Sequence, residues 1–111
     1  MGKFLVTTRT NGEFQFVLKA DNGQSILTSE GYSAKTGCMN GIESVKKNSQ
    51  SKENFELKTA SNGKFFFNLK ASNGQVIGSS QMYESEDSRA NGIDSVMKNA
   101  ANGELVDETS K

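Results

Sequence analysis

Tyr32, Tyr83, Lys19, Lys64, Lys70 and Phe66 are the side chains whose types and spacing leave room for chemistry. A tyrosine hydroxyl beside a lysine ammonium is a proton donor–acceptor pair, enough for a small acid–base enzyme. Alternation puts Val17 and Phe66 on the outward side of their strands, among Gln15, Asn68, Lys19, Lys64 and Lys70. An aromatic ring among ammonium groups is a minimal stacking surface for RNA or single-stranded nucleic acid. The plainer reading of the same group is a protein contact. Absences narrow the field further. The chain has no histidine, which removes the commonest general base and metal ligand. Its one cysteine, Cys38, can form neither an internal disulfide nor a Cys-rich zinc site, and no histidine is there to activate it. Lys+Arg and Asp+Glu each number 13, so formal net charge is zero, which argues against a dedicated nucleic-acid binder.

Repetition explains why these positions stand out. Shifted by 51, residues 11–48 fall on 62–99 without a gap, and 20 of the 38 pairs are identical. The polar residues kept in both copies are Lys19/Lys70, Gln24/Gln75, Ser29/Ser80, Tyr32/Tyr83, Ser44/Ser95 and Lys47/Lys98. Each pair is a site candidate, weighed against the alternative that both copies share a structural need. Glu84, Glu86 and Asp87 cluster in the second copy alone, opposite Ser33, Lys35 and Thr36, so they define no shared metal site.

The elements that must hold these residues follow from periodicity. Seven of the 11 glycines follow an asparagine, and Asn-Gly between alternating segments predicts type I′ hairpin turns. Asn11-Gly12 and Asn22-Gly23 bracket a strand at 13–20, with Phe14, Phe16, Leu18 and Ala20 on one face. Its copy lies at 64–71. Flanking strands are predicted at 3–8 (Phe4 and Val6 inward), 24–29 (Ile26 inward), 54–59 and 75–80. The period then changes: Cys38, Ile42 and Val45, and in the copy Arg89, Ile93 and Val96, lie on one helical face. Ser33 and Ser85 are candidate N-caps, and Asn48 and Asn99 suit helix ends in the left-handed conformation. Gly41 and Gly92 fall within the helices, where glycine costs ~1 kcal/mol against alanine, so close packing on the sheet is expected. Residues 104–108 predict a last strand, and the strand between the two helices is a candidate to serve both units.

The paired Phe-x-Phe-x-Leu-Lys-Ala-x-Asn-Gly strand-turn and the paired Asn-Gly-Ile-x-Ser-Val helix resemble the YegP-like family of small bacterial and archaeal proteins, over nearly the whole chain. The resemblance implies two strand–strand–strand–helix–strand motifs that combine into one sheet and exchange C-terminal elements. It brings no catalytic or binding residues with it. From the residues themselves the expectation is one α+β domain over 1–111: repeat one about 1–51, repeat two about 52–102, and a last strand and tail over 103–111. One antiparallel sheet carries two helices in pseudo-two-fold arrangement. A 51-residue unit is marginal alone, and the connecting 48–53 segment is short, so the units should share a core.

The functional expectation is a non-enzymatic binding or interaction module using the open sheet face or the repeat junction. The rivals are weak RNA or single-stranded nucleic-acid binding through Lys19, Lys64, Phe66 and Lys70, and a small enzyme using Tyr32 or Tyr83 with a lysine. No cofactor, metal or membrane association is expected. The N-terminus lacks a signal-peptide core and no run is long enough to span a bilayer, which reads as a cytoplasmic chain. A protein partner is allowed for. The chain itself should be monomeric, because duplication completes the sheet.

Overall fold

The computed structural model describes residues 2–109. The chain runs β1 (Lys3–Thr8), β2 (Phe14–Lys19), β3 (Ser25–Thr28) and α1 (Lys35–Asn48), then a single 3-10 turn (Lys52–Asn54). It continues as β4 (Phe55–Thr59), β5 (Phe65–Lys70), β6 (Val76–Ser79), α2 (Glu86–Ala101) and β7 (Glu104–Asp107). The predicted α+β class and strand–strand–strand–helix repeat are what forms. The end of the predicted tail, beyond residue 109, lies outside the described residues.

Four like turns build the hairpins. In each, an asparagine side-chain carbonyl accepts the amide two residues on at 3.0 Å: Asn11 from Glu13, Asn22 from Gln24, Asn62 from Lys64 and Asn73 from Gln75. Gly12, Gly23, Gly63 and Gly74 take φ of 84–87°, but no other residue type has positive φ among those described. A type I′ turn needs two left-handed residues, so that expectation fails. Gly12 N–H instead donates to Arg9 and Arg9 N–H to Glu13, closing a three-residue loop with a left-handed glycine at its end. Asparagine's role here is the side-chain bond to the backbone, not a left-handed backbone.

All seven strands form one sheet in the order β4-β5-β6-β3-β2-β1-β7. Without β7 the order reads the same from either end under the 51-residue shift. The pseudo-dyad passes between Thr28 and Ser79, equivalent residues that pair with each other where β3 meets β6. The sheet is not wholly antiparallel, as β7 pairs parallel to β1, with Lys3 opposite Glu104 and Val6 opposite Asp107. The reason is the path of the chain: β7 leaves α2, which has crossed the sheet, and enters beside the first strand of the other repeat. This is the exchange of C-terminal elements that the resemblance implied. The strand after α1 serves one unit only, because β4 pairs with β5 and, among the described residues, with nothing on its other side.

Both helices pack on one face of the sheet. Phe4, Val6, Phe16, Leu18, Leu27, Ile42 and Val45 from the first repeat share a core with Phe67, Leu69, Ile93 and Val96 from the second. Each helix crosses to strands of the other repeat, α1 to β5 and β6 and α2 to β1, β2 and β3. Ile26 is inward as expected, and Leu27 beside it is also buried, because the register shifts after Leu18.

The helix ends differ from the prediction. Ser85 caps α2 by accepting the Ser88 amide at 3.1 Å, but α1 starts at Lys35 and its N-cap is Ala34, not Ser33. Ala34 is the true equivalent of Ser85 under the shift, so the first copy lacks a side-chain cap. Asn48 and Asn99 are buried and still helical; their side-chain amides donate back to the Ser44 and Ser95 carbonyls at 2.9 and 2.8 Å. No helix among the described residues is long and apolar enough to cross a membrane.

Candidate interaction surface

The tyrosines come first, because their surroundings decide whether they are chemical or architectural. Tyr32 pairs its backbone with Phe14, and Tyr83 with Phe65, as isolated bridges beyond the sheet. Each ring then lies between sheet and helix. Tyr32 stacks on Phe16 at 6.4 Å and Tyr83 on Phe67 at 6.3 Å between ring centres. The space for each ring is a missing side chain. A Cβ on Gly41 would stand 2.9 Å from Tyr32 Cζ, and one on Gly92 would stand 2.5 Å from Tyr83 Cζ. The helix glycines therefore serve the tyrosines more than a direct backbone approach to the sheet. Burial, then the neighbouring Cys38 and Glu30, push the Tyr32 hydroxyl above its ordinary pKa. Among the described residues no lysine hydrogen-bonds either hydroxyl.

Most other polar twins have structural uses. Ser29 Oγ accepts the Phe16 amide at 2.9 Å and donates to the Glu30 carbonyl at 2.8 Å; Ser80 does the same with Phe67 and Gln81. Each thereby fills the gap where β3 or β6 leaves the ladder. Ser44 and Ser95 receive the asparagine amides of the helix ends at 3.1 and 3.2 Å. The backbone amides of Gln24 and Gln75 close the turns.

The lysines and Phe66 lie on the face away from the helices. Phe66 is half-buried, opposite Lys58 on β4. Lys64 is paired to Glu84 at 2.7 Å and Lys70 to Glu56 at 3.1 Å, while Lys19 has no such partner among the described residues. The Lys70 ammonium and the Asn68 amide hold the Glu56 carboxyl below the usual glutamate range. Two of the three cations of the nucleic-acid reading are thus neutralised in place. Glu84 of the acidic cluster is occupied by the same pairing.

A single row crosses this face on all seven strands: Glu56, Asn68, Ser79, Thr28, Val17, Leu5 and Val106. Under the 51-residue shift Glu56 falls on Leu5, Asn68 on Val17 and Ser79 on Thr28, and the first two pairs are opposite in character; Val106 on β7 has no counterpart in the row. Ser79 Oγ donates to Asn68 Oδ1 at 2.6 Å, and the Asn68 amide reaches Glu56 at 3.4 Å, so one half is a polar chain. The other half, Val17, Leu5 and Val106, is apolar, partly exposed and outside the buried core. A groove of about 300 Å³ opens beside it, lined by Lys3, Leu5, Lys19, Asp21, Val106 and Glu108. On the dyad a polar groove of about 560 Å³ is lined by Arg9, Thr28, Ser29, Glu30, Ser79 and Gln81. Val17 is on the outward face as the alternation predicts; Leu5 stands out only when it is compared with Glu56, and Val106 only once β7 is seen to pair with β1.

Cys38 is fully buried, and burial, then the charge of Asp107, push its thiol pKa up, opposite to what a reactive thiol needs. Its counterpart Arg89 is also buried. The guanidinium donates to the Lys58 carbonyl at 2.9 Å and lies over Phe65, 5.1 Å from the ring centre.

The family described as "Domain of unknown function (DUF1508)" matches this sequence twice, over residues 10–56 and 60–107. The chain belongs to the DUF1508 family. Its two DUF1508 matches fall on the two repeats. The chain is 53% identical over 108 residues to the UPF0339 protein YegP of Escherichia coli strain K12, which is 97% of this chain and 98% of that protein. It is 52% identical over 106 residues to the UPF0339 protein in the ptx operon 5′ region of Stutzerimonas stutzeri, covering 96% of each. The solution structure of yegP from E. coli, a protein of unknown function, superposes with a TM-score of 0.94 at 52% identity, covering 99% of this chain and 95% of that one. The UPF0339 protein of Shewanella oneidensis gives 0.93 at 49%, covering 99% and 93%. Two DUF1508 units thus build this chain's α+β sheet, with both helices on one side, as in these two relatives.

Proposed function

We propose that this chain is a non-enzymatic interaction module that binds a protein partner on the open face of its sheet. The observation that supports this most is the apolar row of Val17, Leu5 and Val106, partly exposed and outside the core. A row that is apolar at Val17, Leu5 and Val106, where the shift partners of Val17 and Leu5 are polar, supports a surface that takes a partner. The ion pairs at Lys64 and Lys70 weigh against the nucleic-acid reading, since those ammonium groups already have carboxylates. The packing of both tyrosine rings between sheet and helix weighs against the enzyme.

The test is a photo-reactive residue placed at Val17 in the native cell, with a control at Lys98 on the exposed side of α2. A discrete protein adduct from Val17 alone, unchanged by nuclease and lost with Leu5→Lys, is expected. An adduct that nuclease removes, or one formed equally from Lys98, would overturn the reading.

A further inference from the structure

We propose that the free edge of β4 is a second binding site, which takes an extended peptide of a partner protein in parallel, with an apolar residue followed two positions later by lysine or arginine. The site is independent of the open face. It follows from what the pseudo-dyad leaves unfilled. β1 and β4 are equivalent strands at equivalent places in the sheet. β1 is covered by β7, which bonds to it through Glu104 N–H to the Gly2 carbonyl and Glu108 N–H to the Val6 carbonyl, both at 2.9 Å. Among the described residues β4 has no such neighbour. The burial differs accordingly: Val6 is 0% exposed, and its equivalent Leu57 is 58% exposed.

The occupied edge shows what an occupant looks like. Leu105 of β7 stands opposite Phe4 on the helix side, and Asp107 stands opposite Val6. Asp107 reaches across to the Lys35 ammonium at the start of α1. Carried by the dyad to β4, the same register puts an apolar residue beside Phe55 and a third residue beside Leu57. A groove of about 440 Å³ waits there, lined by Lys52, Phe55, Leu57, Glu86, Arg89 and Ile93. Two of its charges are already engaged, Lys52 with Asp94 at 3.5 Å and Arg89 with the Lys58 carbonyl. The equivalent of Lys35 is Glu86. The charge that holds an aspartate on β1 is thus reversed on β4, and the third residue must be basic. A second copy's own β7 would bring Asp107 against Glu86. Strand addition of this kind takes affinity from main-chain bonds and specificity from alternate side chains.

The experiment titrates the isotope-labelled full chain with two capped peptides. One copies residues 102–109; the other is the same with lysine at the position of Asp107. Expected are amide shifts confined to residues 55–59 and the start of α2, with the lysine peptide binding about two- to fivefold tighter, the range of an exposed ion pair. Glu86→Lys should invert that order, and Leu57→Pro should abolish binding of both while leaving the rest of the spectrum in place. Shifts on residues 3–8, equal affinities in the parent chain, an order unchanged by Glu86→Lys, no binding at millimolar peptide, or self-association of the free chain through β4 would each overturn the proposal.

Discussion

The contact between Leu27 and Gly78 gives the sharpest energetic prediction. The two positions are equivalent under the 51-residue shift and meet beside the dyad, so each is the other's neighbour. A Cβ on Gly78 would stand 2.8 Å from Leu27 Cγ and 2.9 Å from Cδ2, below any ordinary carbon contact. Leu27 is 1% exposed. Leu27→Ala removes three buried carbons and should cost about 3 kcal/mol, within the roughly 2–5 of such truncations. Gly78→Ala overfills the site, at about 1–3 kcal/mol, offset by the roughly 0.5–1 that alanine gains over glycine in a strand. A net loss of about 1 kcal/mol is expected. If the effects were independent, the double variant would lose about 4 kcal/mol. The added methyl enters space that Leu27→Ala has emptied, so the double variant should lose only about 2 kcal/mol. Urea unfolding followed by circular dichroism reads this directly. With a slope near roughly 1.5 kcal/mol per molar, Leu27→Ala lowers the midpoint by about 2 M, and Gly78→Ala should raise it again in the Leu27→Ala background. Additivity within ~0.5 kcal/mol, or a further drop on adding Gly78→Ala, would refute a shared site at the dyad.

Four further outcomes follow from particular contacts. Gly92→Ala should destabilise by about 1–3 kcal/mol because Tyr83 must move, whereas helix propensity alone would give a gain of ~1; urea midpoints tell them apart. Ser29→Ala should cost about 1–3 kcal/mol and speed hydrogen exchange at the Phe16 amide, which loses its side-chain acceptor. Ala34→Ser should stabilise α1 by about 0.5–2 kcal/mol, measured as a rise in urea midpoint, by supplying the cap that Ser85 gives α2. The Asp107 carboxyl is held down at about 2 by hydrogen bonds from Lys35 and Thr109, below its ordinary 3.8. A depressed acid stabilises the fold above its unfolded pKa, so this contribution is present near pH ~5–7 and is lost as pH falls from about 4 to about 2. The midpoint difference between the parent chain and Asp107→Asn should therefore narrow over that range, and a constant difference would refute the assignment.

Most of the fold is legible in the sequence because local signals agree with one another. Alternation in 13–20 and 64–71 and the change of period at Cys38 and Arg89 each locate an element that forms. The failures are long-range or geometric. Nothing local distinguishes a type I′ turn from a three-residue loop when both want Asn-Gly; the difference lies in where the strands close. The parallel pairing of β7 depends on the path of α2 over the sheet, which no pattern within 104–108 records. Ser33 matches Ser85 by residue type, but the repeat register puts Ala34 there, and register decides which backbone amides need a cap. Asn48 and Asn99 resemble helix ends because asparagine favours the left-handed region, yet a bond back to Ser44 or Ser95 keeps each one helical.

The candidate site is less legible for a reason rooted in duplication. A residue retained in both copies satisfies a demand made twice, and the demands made twice here are architectural. The tyrosine needs its glycine, the serine fills the place where the ladder ends, and the asparagine bonds back to its own helix. A binding surface obeys the opposite logic. Two equivalent halves of one sheet cannot both be the single place where a partner sits, so specificity must appear as divergence. Leu5 against Glu56, Val17 against Asn68 and Lys35 against Glu86 break a symmetry that the backbone preserves. Each difference changes the chemistry of a surface without changing the strand or helix beneath it. One row across the open face is thereby apolar on β2, β1 and β7 and polar on β4 and β5, and one sheet edge is filled while its equivalent, among the described residues, is free with the charge reversed.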